Sequence, residues 1–113
     1  MQIQNQTKQT TIATQCRIAD TFFSRLKGLL GSPPLVAGEG LLLVNEKSIH
    51  TFFMGFPIDV VYINHDKTVI RLERNVTANQ VRPFVPQSAY ILELPIGIID
   101  TSHTQINDQL VFD

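Results

Sequence analysis

The sequence has 113 residues, a formal net charge of −1, 43% hydrophobic residues and 17% charged residues, a composition that excludes a disordered chain. A chain of this length holds enough apolar material for one core, so we expect a single domain over residues 1–113. The nine Lys and Arg residues are spread from Lys8 to Arg82 without a run, which predicts that nucleic acid is not a partner.

The apolar runs are far shorter than the roughly twenty residues of a membrane-spanning helix, so the sequence predicts no membrane partner. The first fifteen residues show neither the basic start nor the apolar centre of a secretory signal. We therefore expect a cytoplasmic protein, unless an export segment has been removed. Cys16 is the only cysteine, and we expect a small apolar residue in a strand rather than a thiolate activated by Arg17.

The N-terminal part of the chain predicts one strand after a loose start. Residues 1–9 are polar and are expected to fray or to make only an edge contact. Residues 10–19 alternate with a period of two, which is typical of a strand with one buried face. The set expected to face inward is Ile12, Thr14, Cys16 and Ile18.

A short amphipathic helix is predicted next. Asp20 or Thr21 offers an oxygen that caps its first turn, and Gly28 or Gly31 can end it in the left-handed conformation. The apolar stripe expected to face the core is Phe22, Leu26, Leu29 and Leu30. The polar side, which we expect to be solvated, carries Ser24, Arg25 and Lys27.

Besides the hairpin described below, three further strands are predicted between residues 41 and 95. Residues 41–44 are apolar on both faces, which indicates a strand covered on both sides, by a second layer and by the helix. Residues 69–76 alternate, and their charged residues, Arg71 and Glu73, are expected on a face in water. In the strand over residues 89–95, Glu93 lies on the face opposite the inward set. That inward set is Tyr90, Leu92 and Leu94.

The C-terminal part has weaker signals. Residues 97–103 are poor helix formers because of their Ile-Ile and Thr-Ser pairs, and residues 110–112 read as a short closing strand. Taken together, the elements predict a mainly β fold with a minor α part, a compact β-sandwich or barrel-like domain with one or two short helices.

The densest apolar stretch, residues 48–64, predicts a hairpin with its turn at residues 54–57. That register places His50 diagonally from Asp59 on one sheet face, about 7 Å apart at the backbone. A change of one residue in the turn would put the two on opposite faces. Because a buried carboxylate needs a partner, Asp59 must pair with His50, accept hydrogen bonds from backbone amides, or be exposed.

The pair would suit an acid and base, although the same arrangement serves as an ordinary structural pair, which is the interpretation we favour. The aromatic residues beside the turn, with Met54, belong either to the core or to a hydrophobic groove. Neither a metal nor a cofactor is predicted, since the three histidines show no short ligand spacing.

Five pieces of the chain resemble the family called domain of unknown function 192. They are RLKGLL at residues 25–30, GLLL at 40–43, HTFFM at 50–54, PIDV at 57–60 and AYILEL at 89–94. The resemblance implies a mainly β sandwich or barrel with short helices and no established activity, and some relatives look exported. Many members have Phe-Trp-Met and a Lys-Asn turn where this chain has Phe52-Phe53-Met54 and Gly55-Phe56, so a role for that Trp or Lys does not carry over.

Three functional hypotheses follow. The first is a small non-enzymatic ligand-binding or accessory domain that holds a small molecule or a protein segment. Its candidate binding face is Arg25, His50, Met54, Phe56 and Asp59. The second is a small enzyme that uses His50 and Asp59 as acid and base on a polar substrate. The third is an interaction subunit whose sheet edge pairs with a partner strand.

Overall fold

The computed structural model describes residues 1–52 and 54–113, and of residues 22, 23 and 26 the backbone alone. The strands and helices of this part are, in chain order, β1 (Ile3–Asn5), β2 (Thr10–Ala13), β3 (Gln15–Ala19), α1 (Phe22–Lys27), β4 (Glu39–Val44), β5 (Ile58–Ile63), β6 (Val69–Val76), β7 (Tyr90–Leu94), α2 (Ile98–Thr101) and β8 (Leu110–Phe112).

The strands form two sheets. One has five strands in the order β3-β4-β7-β5-β6, and the other has three in the order β2-β1-β8. β3 and β4 run parallel, whereas the other paired strands are antiparallel. The prediction of a mainly β fold with one or two short helices is therefore confirmed, and both sheets are open in the described part of the chain.

The five-stranded sheet separates two hydrophobic cores. On one face, Leu42, Leu92 and Leu94 pack in a cluster with Ile3 and other residues of the three-stranded sheet. On the other face, residues of β4, β5 and β7 pack with Leu29, which follows α1, and with the segment after β4. The prediction that residues 41–44 are covered on both sides is confirmed.

The expectation for residues 1–9 is wrong, because β1 is the middle strand of the smaller sheet. Ile3 and Asn5 are fully buried. The Asn5 side chain donates hydrogen bonds to Asp108 Oδ2 at 2.9 Å and Thr104 Oγ1 at 3.1 Å. Burial of this polar residue is stabilised by partners about a hundred positions away, which local composition does not reveal.

The single strand predicted over residues 10–19 is two strands in different sheets, broken at Thr14. Thr14 and Ile18 are exposed, contrary to prediction, while Ile12 and Cys16 are buried as predicted. The break explains the error, because passing from one sheet to the other resets which side chains face inward.

The predicted hairpin over residues 48–64 is also wrong. Only its second half is a strand, and β5 is paired on both sides, to β6 and to β7. His50 instead forms an isolated bridge with Val81, and the buried Thr51 donates to the carbonyl of Thr77 at 2.7 Å. Because both edges of β5 are occupied, the preceding segment has to pair elsewhere. The predicted position of Phe53 lies outside the described residues.

Helix α1 begins as predicted. Thr21 is its N-cap and forms a capping box with Ser24, and Gly28, with a φ of +50°, is its C-cap. Of the predicted apolar stripe, Leu29 is buried, whereas the side chains of residues 22 and 26 lie outside the described part.

Two predictions near the end of the chain fail. Glu73 of β6 is buried rather than in water, because Arg71, Arg82 and the hydroxyl of Tyr62 all donate to its carboxylate. Helix α2 forms despite its poor helix formers.

The described residues contain no helix with the length and apolar character needed to cross a membrane.

Candidate functional site

A pocket of about 560 Å³ lies beside α1, on the face of the larger sheet that carries the second core. Its walls come from the end of α1, from the turn after β4 and from the segment that the hairpin prediction misplaced. The described residues that line it are Arg25, Lys27, Gly28, Leu29, Leu30, Leu43, Asn45, Glu46, Ser48, Ile49, His50, Phe52, Met54, Val81 and Glu93.

The inner wall of the pocket is apolar. Leu29, Leu43, Ile49 and Met54 are all buried members of the second core. The turn after α1 and the segment over residues 48–52 both contribute residues to the lining. Concave sites of 300–1,000 Å³ with apolar walls and a few polar groups are the usual form of small-molecule sites.

Glu93 is the polar group at the sheet surface of this pocket. It belongs to β7, the middle strand of the sheet, and pairs with Leu41 on one side and Val60 on the other. Its residue surface is 4% exposed, and none of the described side chains or amides donates a hydrogen bond to its carboxylate. A Cβ built on Gly28 would lie 4.0 Å from Glu93 Oε1, so the carboxylate is next to the end of α1.

This environment determines the charge of Glu93. Burial removes water from the carboxylate and raises the pKa of Glu93 to about 8. At neutral pH the free protein therefore holds mainly a neutral carboxylic acid at this position. Such a group can donate one hydrogen bond and accept others, and it ionises when a cation replaces the missing water.

Arg25, a predicted binding residue, lies at the edge of the pocket and connects α1 to the end of β4. Its Nη1 donates to the carbonyl oxygens of Val44 at 3.1 Å and Asn45 at 3.0 Å. Its Nε is buried and has no hydrogen-bond partner among the described residues. The side chain is half-buried rather than fully solvated, so the expectation for the polar side of the helix is wrong at this residue.

His50 and Phe52 form part of the rim. Their rings stack with centroids 5.3 Å apart, and both side chains are exposed. The isolated bridge to Val81 holds the backbone of His50 beside the pocket. His50 therefore lines the predicted binding face, together with Met54 and Arg25.

Asp59 is not part of that face. Its Oδ1 accepts a hydrogen bond from the amide of Asn75 at 3.1 Å, and its Oδ2 accepts from the amides of Gly97 at 3.1 Å and Ile99 at 3.2 Å. Neither a hydrogen bond nor an ion pair joins it to His50 in the described residues. The predicted pairing is wrong, and the alternative of bonding to backbone amides holds. By binding amides at the start of α2, Asp59 explains how that helix forms.

Phe56 also lies away from the described lining. It is half-buried and packs against the second core, so its position is that of a core residue. Met54 is both core and pocket wall, which combines the two alternatives that the sequence left open.

Glu93 is the site residue that sequence reasoning missed, although two signals pointed to it. The alternation of β7 correctly places Glu93 opposite Leu92 and Leu94. The doubly apolar neighbour strand β4 indicates that this opposite face is covered too. A carboxylate on a covered face of a central strand is a buried charge, and buried charges without a protein partner are candidates for function.

Both the sequence and the fold of this chain are similar to those of known proteins. The chain matches the DUF192 family, described as an uncharacterized ACR, over residues 3–112. It is 36% identical over 112 residues to a UPF0127 protein of Thermococcus sibiricus, covering 94% of this chain and 71% of that protein. A UPF0127 protein of Pyrococcus furiosus is 32% identical over 111 residues, with 94% of this chain and 93% of the relative covered.

The fold also occurs in a crystal structure of a protein of unknown function from Novosphingobium aromaticivorans. The TM-score is 0.84 at 15% identity, and the match covers 98% of this chain and 82% of that one. At this identity the likeness concerns the fold alone. The match over nearly the whole sequence shows that the chain belongs to the DUF192 family, whose function is unknown.

Proposed function

We propose that this protein is a small ligand-binding domain without catalytic chemistry of its own, and that its ligand is a small organic molecule held in the pocket beside α1. The observation that carries the proposal is the buried carboxyl group of Glu93, which faces the pocket with no hydrogen-bond partner among the described residues.

The position of Glu93 argues for a ligand. Between Leu41 and Val60 on a central strand, an apolar side chain would complete the second core. A carboxyl group buried there without a protein donor costs up to about 1–3 kcal/mol. Residues that violate a core pattern in this way are characteristic of functional sites, where a bound molecule supplies the missing partner.

The dimensions and the lining agree with this use. A volume of about 560 Å³ lies within the range of small-molecule sites, and the apolar wall can bury the body of a ligand. The exposed side chains of Phe52 and Val81 extend the apolar surface to the mouth. A concave site of this kind favours a small molecule over a protein segment, which usually occupies a groove or a sheet edge.

The enzymatic alternative loses its geometric support. It required His50 and Asp59 on a common face, but Asp59 is bound by three amides while His50 stands at the rim of the pocket. The site proposal therefore keeps His50, Met54 and Arg25, adds Glu93, and omits Asp59 and Phe56. The cytoplasmic location stays a prediction, which fractionation of cells producing the full-length protein would test.

Amide chemical-shift mapping with a library of small organic compounds tests the binding proposal. We expect hits to shift the amides of residues 28–30 and 45–50. Ser48→Trp, which adds a bulky ring to the lining, should abolish these shifts. Thr101→Trp, at an exposed position of α2 beyond the other face of the sheet, is the matched control and should retain them. Hits that bind Ser48→Trp as well as the control, or that map elsewhere, would contradict the proposal.

A further inference from the structure

Resting on the binding function proposed above, we propose that the ligand carries a protonated amine on a compact apolar body, and that Glu93 is the residue that binds the amine. The inference names the chemical class of the ligand and assigns the recognition of its charged group to one carboxylate.

The first step concerns what Glu93 lacks. An ionised carboxylate only accepts hydrogen bonds, and the described residues provide no donor to it. The guanidinium of Arg25, which lines the same pocket, donates through Nη1 to the backbone carbonyls of Val44 and Asn45, and none of its nitrogens donates to Glu93. In the free protein Glu93 therefore has no donor among the described residues, and a ligand can supply one. A cationic donor binds a buried carboxylate more strongly than a neutral one, because the hydrogen bond is charge-assisted.

The second step concerns the rest of the ligand. The wall next to Glu93 is made of Leu29, Leu43, Ile49 and Met54, which can only contact an apolar body. An ammonium group has three donors, of which Glu93 takes one or two. The side chains of Asn45 and Ser48 also line the pocket and have oxygen atoms that can accept the remainder.

The third step is the proton balance. Burial holds Glu93 protonated at pH 6.5, since its pKa is about 8. When an ammonium ion pairs with the carboxylate, the carboxyl proton leaves to solvent, so one proton is released for each amine bound. The affinity should then rise about tenfold for each pH unit up to pH 8.

Other charged groups around the pocket have to be separated from this effect. Arg25 and Lys27 face it from α1, and Glu46 and His50 face it from the loops. On the sheet, Glu73 lies in register with Val60, two strands from Glu93, and is paired with Arg71 and Arg82. Any pH dependence that these groups cause persists in Glu93→Gln, whereas the contribution of Glu93 is lost.

The experiment uses three probes of one shape: cyclohexylmethylamine, cyclohexylmethanol and cyclohexanecarboxylate. Isothermal titration of the full chain at pH 6.5 and pH 7.5, in two buffers of different ionisation enthalpy, measures affinity and proton release together. We expect the amine to bind at least tenfold more tightly than the alcohol. Its affinity should rise about tenfold between the two pH values, with close to one proton released.

The variants complete the test. Glu93→Gln should weaken the amine at least tenfold and remove proton release while changing the alcohol less than threefold. Glu39→Gln, an equal change outside the described lining, should bind all three probes like the natural chain. If the alcohol or the carboxylate binds in the pocket more tightly than the amine, the ligand class is wrong while the binding function stands. If none of the three binds, the binding function fails as well. The comparison of probes on the natural chain decides the matter even if Glu93→Gln does not fold.

Discussion

The buried carboxyl group of Glu93 should make the stability of the free protein fall as the pH rises. Its pKa is about 8 in the folded chain, against 4.5 for an ordinary glutamate, so the folded state holds a proton that the unfolded state has already released. An acidic group whose pKa is raised in the folded state does not destabilise the fold below pH 4.5, where it is protonated in both states. Its cost grows as the pH rises and is complete above pH 8.

The magnitude follows from the pKa of the folded chain. Each pH unit between the two pKa values is worth about 1.4 kcal/mol, so between pH 5 and pH 8 the contribution is on the order of 4 kcal/mol. Total stabilities of small domains are about 5–15 kcal/mol, which makes this a large fraction of the whole. Replacing Glu93 by Gln, which cannot ionise, should remove the contribution.

Urea denaturation followed by circular dichroism, at half-unit steps from pH 5 to pH 8.5, measures it. We expect the natural chain and Glu93→Gln to differ by less than about 1 kcal/mol at pH 5 and by about 4 kcal/mol at pH 8.5, with the variant the more stable. Glu46→Gln, at the same pocket, controls for the loss of a carboxylate as such. Parallel pH profiles for the natural chain and Glu93→Gln would refute the reasoning.

Three further predictions concern Asp59, Glu73 and Cys16, with His50 as the comparison for Asp59. Asp59→Asn should lower the free energy of unfolding by about 2–4 kcal/mol, because three amides lose a charged acceptor, while His50→Ala should change it by less than about 0.5 kcal/mol; equal costs in urea denaturation would restore the pairing. For Glu73, burial alone would raise the pKa, but hydrogen bonds from Arg82, Arg71 and Tyr62 outweigh it and lower the pKa to about 2. Glu73→Gln should therefore cost about 2 kcal/mol at pH 7, and the difference from the natural chain should shrink as the pH falls from 4.5 towards 2; a difference that grows in acid would contradict this. Burial also raises the pKa of Cys16 to about 11, so iodoacetamide at pH 8 should alkylate the folded protein about a hundredfold more slowly than the urea-unfolded chain, and similar rates would show an accessible thiol.

The predictable parts of this fold are those that local pattern determines. Thr21 caps α1 because its hydroxyl reaches the amide of Ser24 within one turn. Residues 41–44 show from their own sequence that both faces are buried. The mainly β class follows from the same periodicities.

The errors arise where distant segments decide the outcome. Asn5 is buried because Asp108 and Thr104 bind its side chain, and residues 98–101 become helical because Asp59 accepts the amides of Gly97 and Ile99. These partners are brought together by the fold, and the spacing of residues along the chain does not reveal them.

The candidate site was predictable in part. Arg25, His50 and Met54 line one pocket, although the hairpin predicted over residues 48–64 does not form. The hairpin prediction pairs β5 with the segment that precedes the turn at residues 54–57. In the fold, β7 pairs with β5 and places Glu93, rather than His50, beside Val60.

The carboxyl carbon of Glu93 reports most directly on whether the pocket holds an unpartnered acid that a cationic ligand can ionise. Its ¹³C chemical shift, followed by NMR from pH 3 to pH 10 in the free protein, should show a midpoint near 8, and saturating cyclohexylmethylamine should move that midpoint to lower pH. A midpoint near 4.5 in the free protein, unchanged by the amine, would contradict the account.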